Sequence, residues 1–121
     1  MSKPLVVIIE DDPQLGNIYS LTLQGNFEIQ LIADGDSAIA YLAQVTPELI
    51  VLDVHLPGAN GQEILAFIHA NPHLAGARVI LATADSQQAD FLEDRAAIVL
   101  LKPISPLQLR ELSLRLCKIE G

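Results

Sequence analysis

The chain has a single cysteine, no tryptophan and few basic residues. Because Cys117 stands alone, no intrachain disulfide can form, and a zinc cluster would need other ligands. Seven Lys and Arg against fifteen Asp and Glu give a formal net charge of −8, which argues against binding nucleic acid or an anionic membrane through the domain's own surface. The longest uninterrupted apolar run, Ala96 to Leu101, is far shorter than the ~18 residues of a membrane span.

The composition predicts one globular domain covering residues 1–121, because half of the residues are apolar and the length suits a single core. Only a few residues precede the first strand-like stretch, which leaves no room for a signal peptide. We therefore expect a soluble, cytoplasmic protein.

Five short apolar runs alternate with segments that contain residues typical of helix starts and ends. Four of the runs are continuous, as in strands covered on both faces, whereas Phe27 to Ile32 is interrupted by polar residues and is typical of an edge strand. Alternation of this kind predicts an α/β fold with a doubly wound parallel sheet. The other four runs are Leu5 to Ile9, Leu49 to Leu52, Val79 to Leu81 and Ile98 to Leu101.

The predicted helices begin at capping residues. Asp12 followed by Pro13 indicates an N-cap and a first helical residue, and the same holds for Ser105 and Pro106. On the first helix, an apolar face is expected from Leu15, Ile18, Tyr19 and Thr22. The second helix is predicted from about Asp34 to Val45, the third from about Asn60 to Asn71, and the fourth, Ser86 to Arg95, is short of apolar residues.

Charged and hydroxyl side chains follow several of the strands. Strand one ends in Glu10-Asp11-Asp12 and strand three in Asp53, and crowding these carboxylates at one sheet edge costs roughly 4 kcal/mol per pair at about 4 Å. Mg²⁺ resolves the repulsion because it prefers oxygen ligands. Thr83 and Lys102 add a hydroxyl and a positive charge, a set that fits a phosphoryl group with Asp53 as the nucleophile.

These residues resemble those of the receiver domains of two-component response regulators, of the CheY-like kind, along the whole chain. The resemblance implies a flavodoxin-like (βα)5 sheet with strand order 2-1-3-4-5. The matching stretches are Val7 to Pro13, Ala33-Asp34-Gly35, Pro47 to Gly61 (PELIVLDVHLPGANG), Ala82-Thr83-Ala84 and Leu101-Lys102-Pro103.

The resemblance also assigns roles to individual residues. It implies that Asp53 is the phosphoacceptor, that Glu10, Asp11 and Asp53 hold Mg²⁺ (or Mn²⁺), and that Lys102 neutralises a phosphoryl oxygen. Thr83 would bond the phosphoryl group and move with it as part of the switch. Further expectations are a metal contact from the His55 backbone carbonyl, a cis Lys102–Pro103 peptide bond, and His55, Ala84 and Asp85 flanking the phosphoryl site, where they influence attack by water.

The function implied is a phosphoacceptor switch rather than a metabolic enzyme. Its phosphodonor would be a histidine kinase or a histidine phosphotransfer protein, and its output a downstream protein or a fused output domain. One alternative is a docking module that works unphosphorylated. Another is a hydrolase that acts on small molecules through an aspartyl phosphate, which would need a general acid two residues beyond the nucleophile, where this chain has His55.

Two departures from the family pattern concern signalling. Val99 stands where receivers usually carry a switch aromatic, and a valine cannot reproduce the swing of a large ring. The stretch from Thr83 to Lys102 is also shorter than usual, and Arg95-Ala96-Ala97 replaces the usual Gly-Ala before strand five. Either other residues preserve the switch, or phosphorylation is read through a different surface or through ordering of helix four.

Overall fold

A computed structural model describes residues 3–92, 96 and 98–119, with the backbone alone at 88, 91 and 92. Strands and helices alternate along the described chain. The strands are β1 (Leu5–Ile9), β2 (Glu28–Ile32), β3 (Leu49–Asp53), β4 (Arg78–Thr83) and β5 (Ile98–Leu101). The helices are α1 (Pro13–Leu23), α2 (Gly35–Leu42), α3 (Gly61–Ala70), α4 (Ser86–Leu92) and α5 (Pro106–Leu116), with a 3₁₀ turn at Pro72–Leu74.

The five strands form one parallel sheet in the order β2-β1-β3-β4-β5, which confirms the predicted fold class and strand order. Every residue of β3 is buried, whereas β2 at the edge has exposed positions. A central strand that is covered on both faces needs a continuous apolar sequence, as in β3. An edge strand is partly exposed and can carry polar residues, as in β2.

Two apolar layers hold the helices to the sheet. On one face, Ile64, Leu65 and Ile68 of α3 and Leu42 of α2 pack against Ile50 and other strand residues. On the opposite face lie side chains of α1 and α5, among them Tyr19, Leu23, Leu109 and Leu114. The sheet is therefore covered on both sides, and its carboxyl edge is left for polar groups.

Capping side chains start the helices at the predicted positions. Asp12 accepts hydrogen bonds from the backbone amides of Gln14 and Leu15, and Ser105 accepts one from Gln108. At α3, Asn60 and Glu63 form a reciprocal capping box.

Two details of the helix predictions are wrong, and a third concerns residues that the structure does not describe. The expected apolar face of α1 is shifted: Ile18 is 42% exposed, while Gly16 is buried close to Leu31 of the edge strand. Helix α2 ends at Leu42, before Val45, because its last turn is closed by the Ala43 amide well ahead of Pro47. Helix α4 is described from Ser86 to Leu92, and residues 93–95 of the predicted helix lie outside the described residues.

Glycines allow the loop after β3 to lie directly on α2. The Gly35 amide donates to the carbonyl oxygen of Pro57 at 3.0 Å. A Cβ at Gly35 would collide with the carbonyl oxygen of Ala59, and one at Gly61 would approach the Cα of Val54 at 2.6 Å. These close approaches fix the path of the chain that leaves Asp53.

Gly35→Ala is expected to lower the free energy of unfolding by about 2 kcal/mol, because the new methyl group meets backbone atoms that cannot turn aside. Gly76→Ala is the control, since a Cβ at Gly76 meets nothing within 4 Å. Denaturant unfolding of both variants measures the difference, and equal stabilities would contradict the close packing of this loop.

Candidate functional site

The carboxyl ends of four strands meet at one edge of the sheet and bring the predicted residues together. Asp53 is the last residue of β3 and pairs in register with Ala82, the residue before Thr83. Thr83 pairs with Leu101, so Lys102 follows immediately. Glu10 comes directly after β1. The register alone therefore gathers residues that are far apart in the sequence.

Lys102 joins the two buried carboxylates of the site. Its Nζ lies 3.1 Å from Glu10 Oε1 and 3.1 Å from Asp53 Oδ2. Glu10 and Asp53 are 3% and 5% exposed, so these contacts are shielded from solvent and count for more than surface ion pairs. The backbone amide of Lys102 donates to the Thr83 carbonyl oxygen at 2.8 Å, and the Lys102–Pro103 peptide bond is cis.

Backbone amides satisfy the second oxygen of each carboxylate. Asp53 Oδ1 accepts from the His55 amide at 3.2 Å, and Glu10 Oε2 accepts from the Asp12 amide at 3.2 Å. Each carboxylate is thus held by one ammonium contact and one amide. The side chain of His55 is exposed, and its described contact with Asp53 is made by its amide nitrogen.

Glu10, Asp11 and Asp53 form an acidic cluster that fits a divalent cation. One carboxylate oxygen of each residue lies within 4.8 Å of the others, and Asp11 is exposed while its two neighbours are buried. When all three carboxylates are ionised, Lys102 supplies one positive charge against three negative ones, so a net negative charge remains. Hard oxygen donors in this number are what Mg²⁺ binds in proteins.

The site shifts the pKa values of both Glu10 and Lys102. Burial raises the pKa of Glu10 to about 7, and the neighbouring Asp53 adds to the increase, while the Asp12 amide and Lys102 oppose it. For Lys102, burial lowers the pKa, but hydrogen bonds to Glu10 and Asp53 outweigh burial, so its pKa is raised overall. The ammonium form is therefore favoured between the two carboxylates.

Thr83 is fully buried and is linked to the start of α4. The Asp85 amide donates to the Thr83 hydroxyl oxygen at 3.1 Å, and an Asp85 carboxylate oxygen accepts from the Gln87 amide at 2.9 Å. Ala84 and Asp85, which follow Thr83 in the sequence, are exposed.

Val99 lies away from the charged groups. It pairs with Leu81 in the sheet, is partly buried, and packs against the apolar layer under α2 and α3.

The order 2-1-3-4-5, the acidic cluster and the lysine between two carboxylates define the class of α/β proteins that bind ligands at the carboxyl edge of a parallel sheet. The sequence model of the response regulator receiver domain matches residues 6–113. The chain belongs to this family and is a receiver domain of two-component signalling.

Individual proteins agree with this assignment. The DNA-binding response regulator MtrA of Mycolicibacterium smegmatis is 30% identical over 108 residues, which cover 86% of this chain and 46% of that protein. The chain thus spans about half the length of this curated relative.

Solved structures show the same fold. Chemotaxis response regulator CheY4 of Vibrio cholerae has 22% identity and a TM-score of 0.86, covering 95% of this chain and 99% of that one. The receiver domain of sensor histidine kinase PA1611 from Pseudomonas aeruginosa PAO1 has 22% identity and a TM-score of 0.87, covering 97% of this chain and 99% of that one, and holds a magnesium ion in its active site cleft.

None of the described helices is long and apolar enough to cross a membrane.

One polar group of this region was not singled out from the sequence. Tyr19 was expected to be an apolar-face residue of α1, and its ring is indeed buried, but its hydroxyl makes no hydrogen bond within the described chain. The available signal in the sequence was the hydroxyl of a tyrosine at a position predicted to face the core.

The raised pKa of Glu10 predicts how stability depends on pH. Between the ordinary value of 4.5 and about 7, folded Glu10 keeps a proton that the unfolded chain has lost, so its contribution to stability falls as the pH rises through this interval. Glu10→Gln, which cannot titrate, is expected to flatten that part of the profile. Melting curves with EDTA between pH 5 and pH 7 measure the difference between the two proteins, and parallel profiles would contradict the prediction.

Proposed function

We propose that Asp53 accepts a phosphoryl group from a phosphohistidine, and that the chain acts as a switch rather than as a metabolic enzyme. The observation that supports this most is the position of Lys102, 3.1 Å from Asp53 and bonded also to Glu10. Negative charge on the oxygens of a transferring phosphoryl group needs compensation close to the nucleophile, and the Lys102 ammonium lies there.

The transfer exchanges one phosphorus bond for another. A carboxylate oxygen of Asp53 attacks the phosphorus atom, the P–N bond to the donor imidazole breaks, and the imidazole leaves with the bonding electron pair and takes up a proton. The Asp53 oxygen that remains keeps its hydrogen-bond donor from the protein, either Lys102 or the His55 amide.

Lys102 and Thr83 then contact the phosphoryl oxygens. Lys102 shifts its ammonium from Glu10 to a phosphoryl oxygen, and the Thr83 hydroxyl donates to another. Because the Thr83 hydroxyl oxygen also accepts from the Asp85 amide, its movement is transmitted to the first turn of α4.

Glu10, Asp11 and Asp53 are the residues that would hold Mg²⁺, and the resemblance to receiver domains adds the His55 backbone carbonyl as a further ligand. When bound, the cation offsets negative charge on the phosphoryl group and the carboxylates. The magnesium ion in the PA1611 receiver supports Mg²⁺, and Mn²⁺ suits the same oxygen donors.

The phosphodonor is a histidine kinase or a histidine phosphotransfer protein in the cytoplasm, and the output is a downstream protein or a fused output domain. The length of MtrA, about twice the matched region, supports a fused output in that relative. The charge of −8 supports an output that does not involve direct contact of this domain with nucleic acid.

The other function to be tested is a docking module that needs no phosphorylation. Val99 favours it, since the valine lacks the ring through which receivers commonly pass the signal. The complete set of acids, hydroxyl and lysine favours phosphorylation.

With acetyl phosphate and Mg²⁺, the protein is expected to gain the mass of one phosphoryl group, and Asp53→Asn is expected to gain none. Beryllofluoride, which mimics an acyl phosphate, should stabilise the Mg²⁺ form by about 2.7 kcal/mol at 100 times its dissociation constant. Intact mass spectrometry and thermal melts measure the two effects, with EDTA as the control. A folded wild-type protein that shows neither effect would place the docking module first.

A further inference from the structure

Tyr19 combines a buried ring with a hydroxyl that has no partner. The side chain is 2% exposed and lies in the apolar layer between α1, α5 and the sheet. That layer includes Leu100 and Ile104, which stand two residues before and after Lys102. The hydroxyl makes no hydrogen bond with any described group. An unpaired buried hydroxyl is costly and uncommon in native proteins, and the hydroxyl of Tyr19 is one on which the charges of the phosphorylation site act.

The place of Tyr19 on α1 and the charges that act on it indicate that its hydroxyl points toward the phosphorylation site. Helical side chains tilt toward the N-terminus of their helix, and α1 starts at the sheet edge just after Glu10. The charges of the site also reach the phenol: burial raises the pKa of Tyr19, Glu10 raises it further, and Lys102 opposes them.

Glu10 loses a hydrogen-bond donor when the site is used, and a cation held by one of its oxygens leaves the other oxygen to be satisfied. Its Oε1 accepts from the Lys102 ammonium at 3.1 Å, and its Oε2 from the Asp12 amide. If Lys102 turns to a phosphoryl group, as in the proposed function, Oε1 loses that donor. At 3% exposure, Glu10 has little access to bulk water as a replacement.

We propose that Tyr19 is a positioning residue of the phosphorylation site, whose buried hydroxyl donates the hydrogen bond that holds Glu10 when Lys102 turns to the phosphoryl group. The inference rests on the proposed function, because it requires Lys102 to leave Glu10. Tyr19 acts through Glu10 and makes no contact with the phosphoryl group itself.

Ser113 provides a matched control. It is fully buried on α5, the helix that packs against α1, and its hydroxyl is the other buried side-chain group without a partner in the described chain. Ser113→Ala therefore removes an idle buried hydroxyl next to the same helix without removing a phenol from the site. Tyr19→Phe removes only the phenol oxygen.

The first test is a beryllofluoride titration in the presence of Mg²⁺, followed by melting temperature. Without ligand, Tyr19→Phe and Ser113→Ala should be at least as stable as the wild-type protein, since each loses an unpaired hydroxyl. With ligand, Tyr19→Phe should bind about tenfold more weakly, equivalent to about 1.4 kcal/mol, and Ser113→Ala should bind as the wild type does.

The second test measures the ultraviolet absorption of the Tyr19 phenol. The chain has two tyrosines and no tryptophan, so Tyr41→Phe leaves Tyr19 as the only tyrosine chromophore. A phenol that donates to a carboxylate absorbs at longer wavelength. Mg²⁺ with beryllofluoride should therefore shift the Tyr19 absorption band to longer wavelength, and the shift should vanish when Asp53→Asn is added.

The outcomes separate the two proposals. If wild-type binding depends on Asp53 while Tyr19→Phe binds equally tightly and the Tyr19 band stays in place, the positioning role is overturned and the proposed function stands. Equal weakening by Tyr19→Phe and Ser113→Ala also overturns it, because packing of α1 on α5 would explain both. If the wild-type protein does not bind, or Asp53→Asn binds as well, the proposed function fails and the role of Tyr19 fails with it.

Discussion

The contact of one ammonium group with two buried carboxylates is the interaction on which this site depends. Lys102 lies 3.1 Å from both Glu10 and Asp53, and without it two adjacent carboxylates would be buried with only backbone amides as partners. Removing one member of a buried ion pair costs more than the pair contributes, because a charge is left without compensation. The same lysine limits how strongly the acidic cluster attracts a divalent cation.

The fold supplies this contact through strand register. The pairing of Asp53 with Ala82 and of Thr83 with Leu101 fixes the heights at which the hydroxyl, the acid and the lysine leave the sheet. The path of the loop after Asp53 is fixed by close backbone packing, because a Cβ at Gly35 or Gly61 would meet backbone atoms of this loop. A site assembled from chain segments about ninety residues apart is thereby held by the core beneath it, as pre-organised chemistry requires.

Much of this arrangement follows from the sequence, since continuous apolar runs, capping residues and strand-end acids each have one dominant physical meaning. The doubly wound parallel sheet and the gathering of Asp53, Thr83 and Lys102 were predicted in this way, whereas the strand order 2-1-3-4-5 followed from the resemblance to receiver domains. Helix periodicity alone could not show that Gly16 rather than Ile18 faces the interior, because the close approach of Leu31 decides it. Nor could it show that the Tyr19 hydroxyl has no partner in the described chain, because this depends on the side chains that pack around it from several elements.

The most direct test of the central contact is a calorimetric Mg²⁺ titration of Lys102→Met beside the wild-type protein at pH 8. If Lys102 is the ammonium that offsets Glu10 and Asp53, its removal should leave the acidic cluster uncompensated. We expect Lys102→Met to bind Mg²⁺ at least about tenfold more tightly, which corresponds to about 1.4 kcal/mol, and to melt at a lower temperature without the cation. A folded variant with unchanged or weaker Mg²⁺ affinity would show that the lysine does not neutralise these carboxylates.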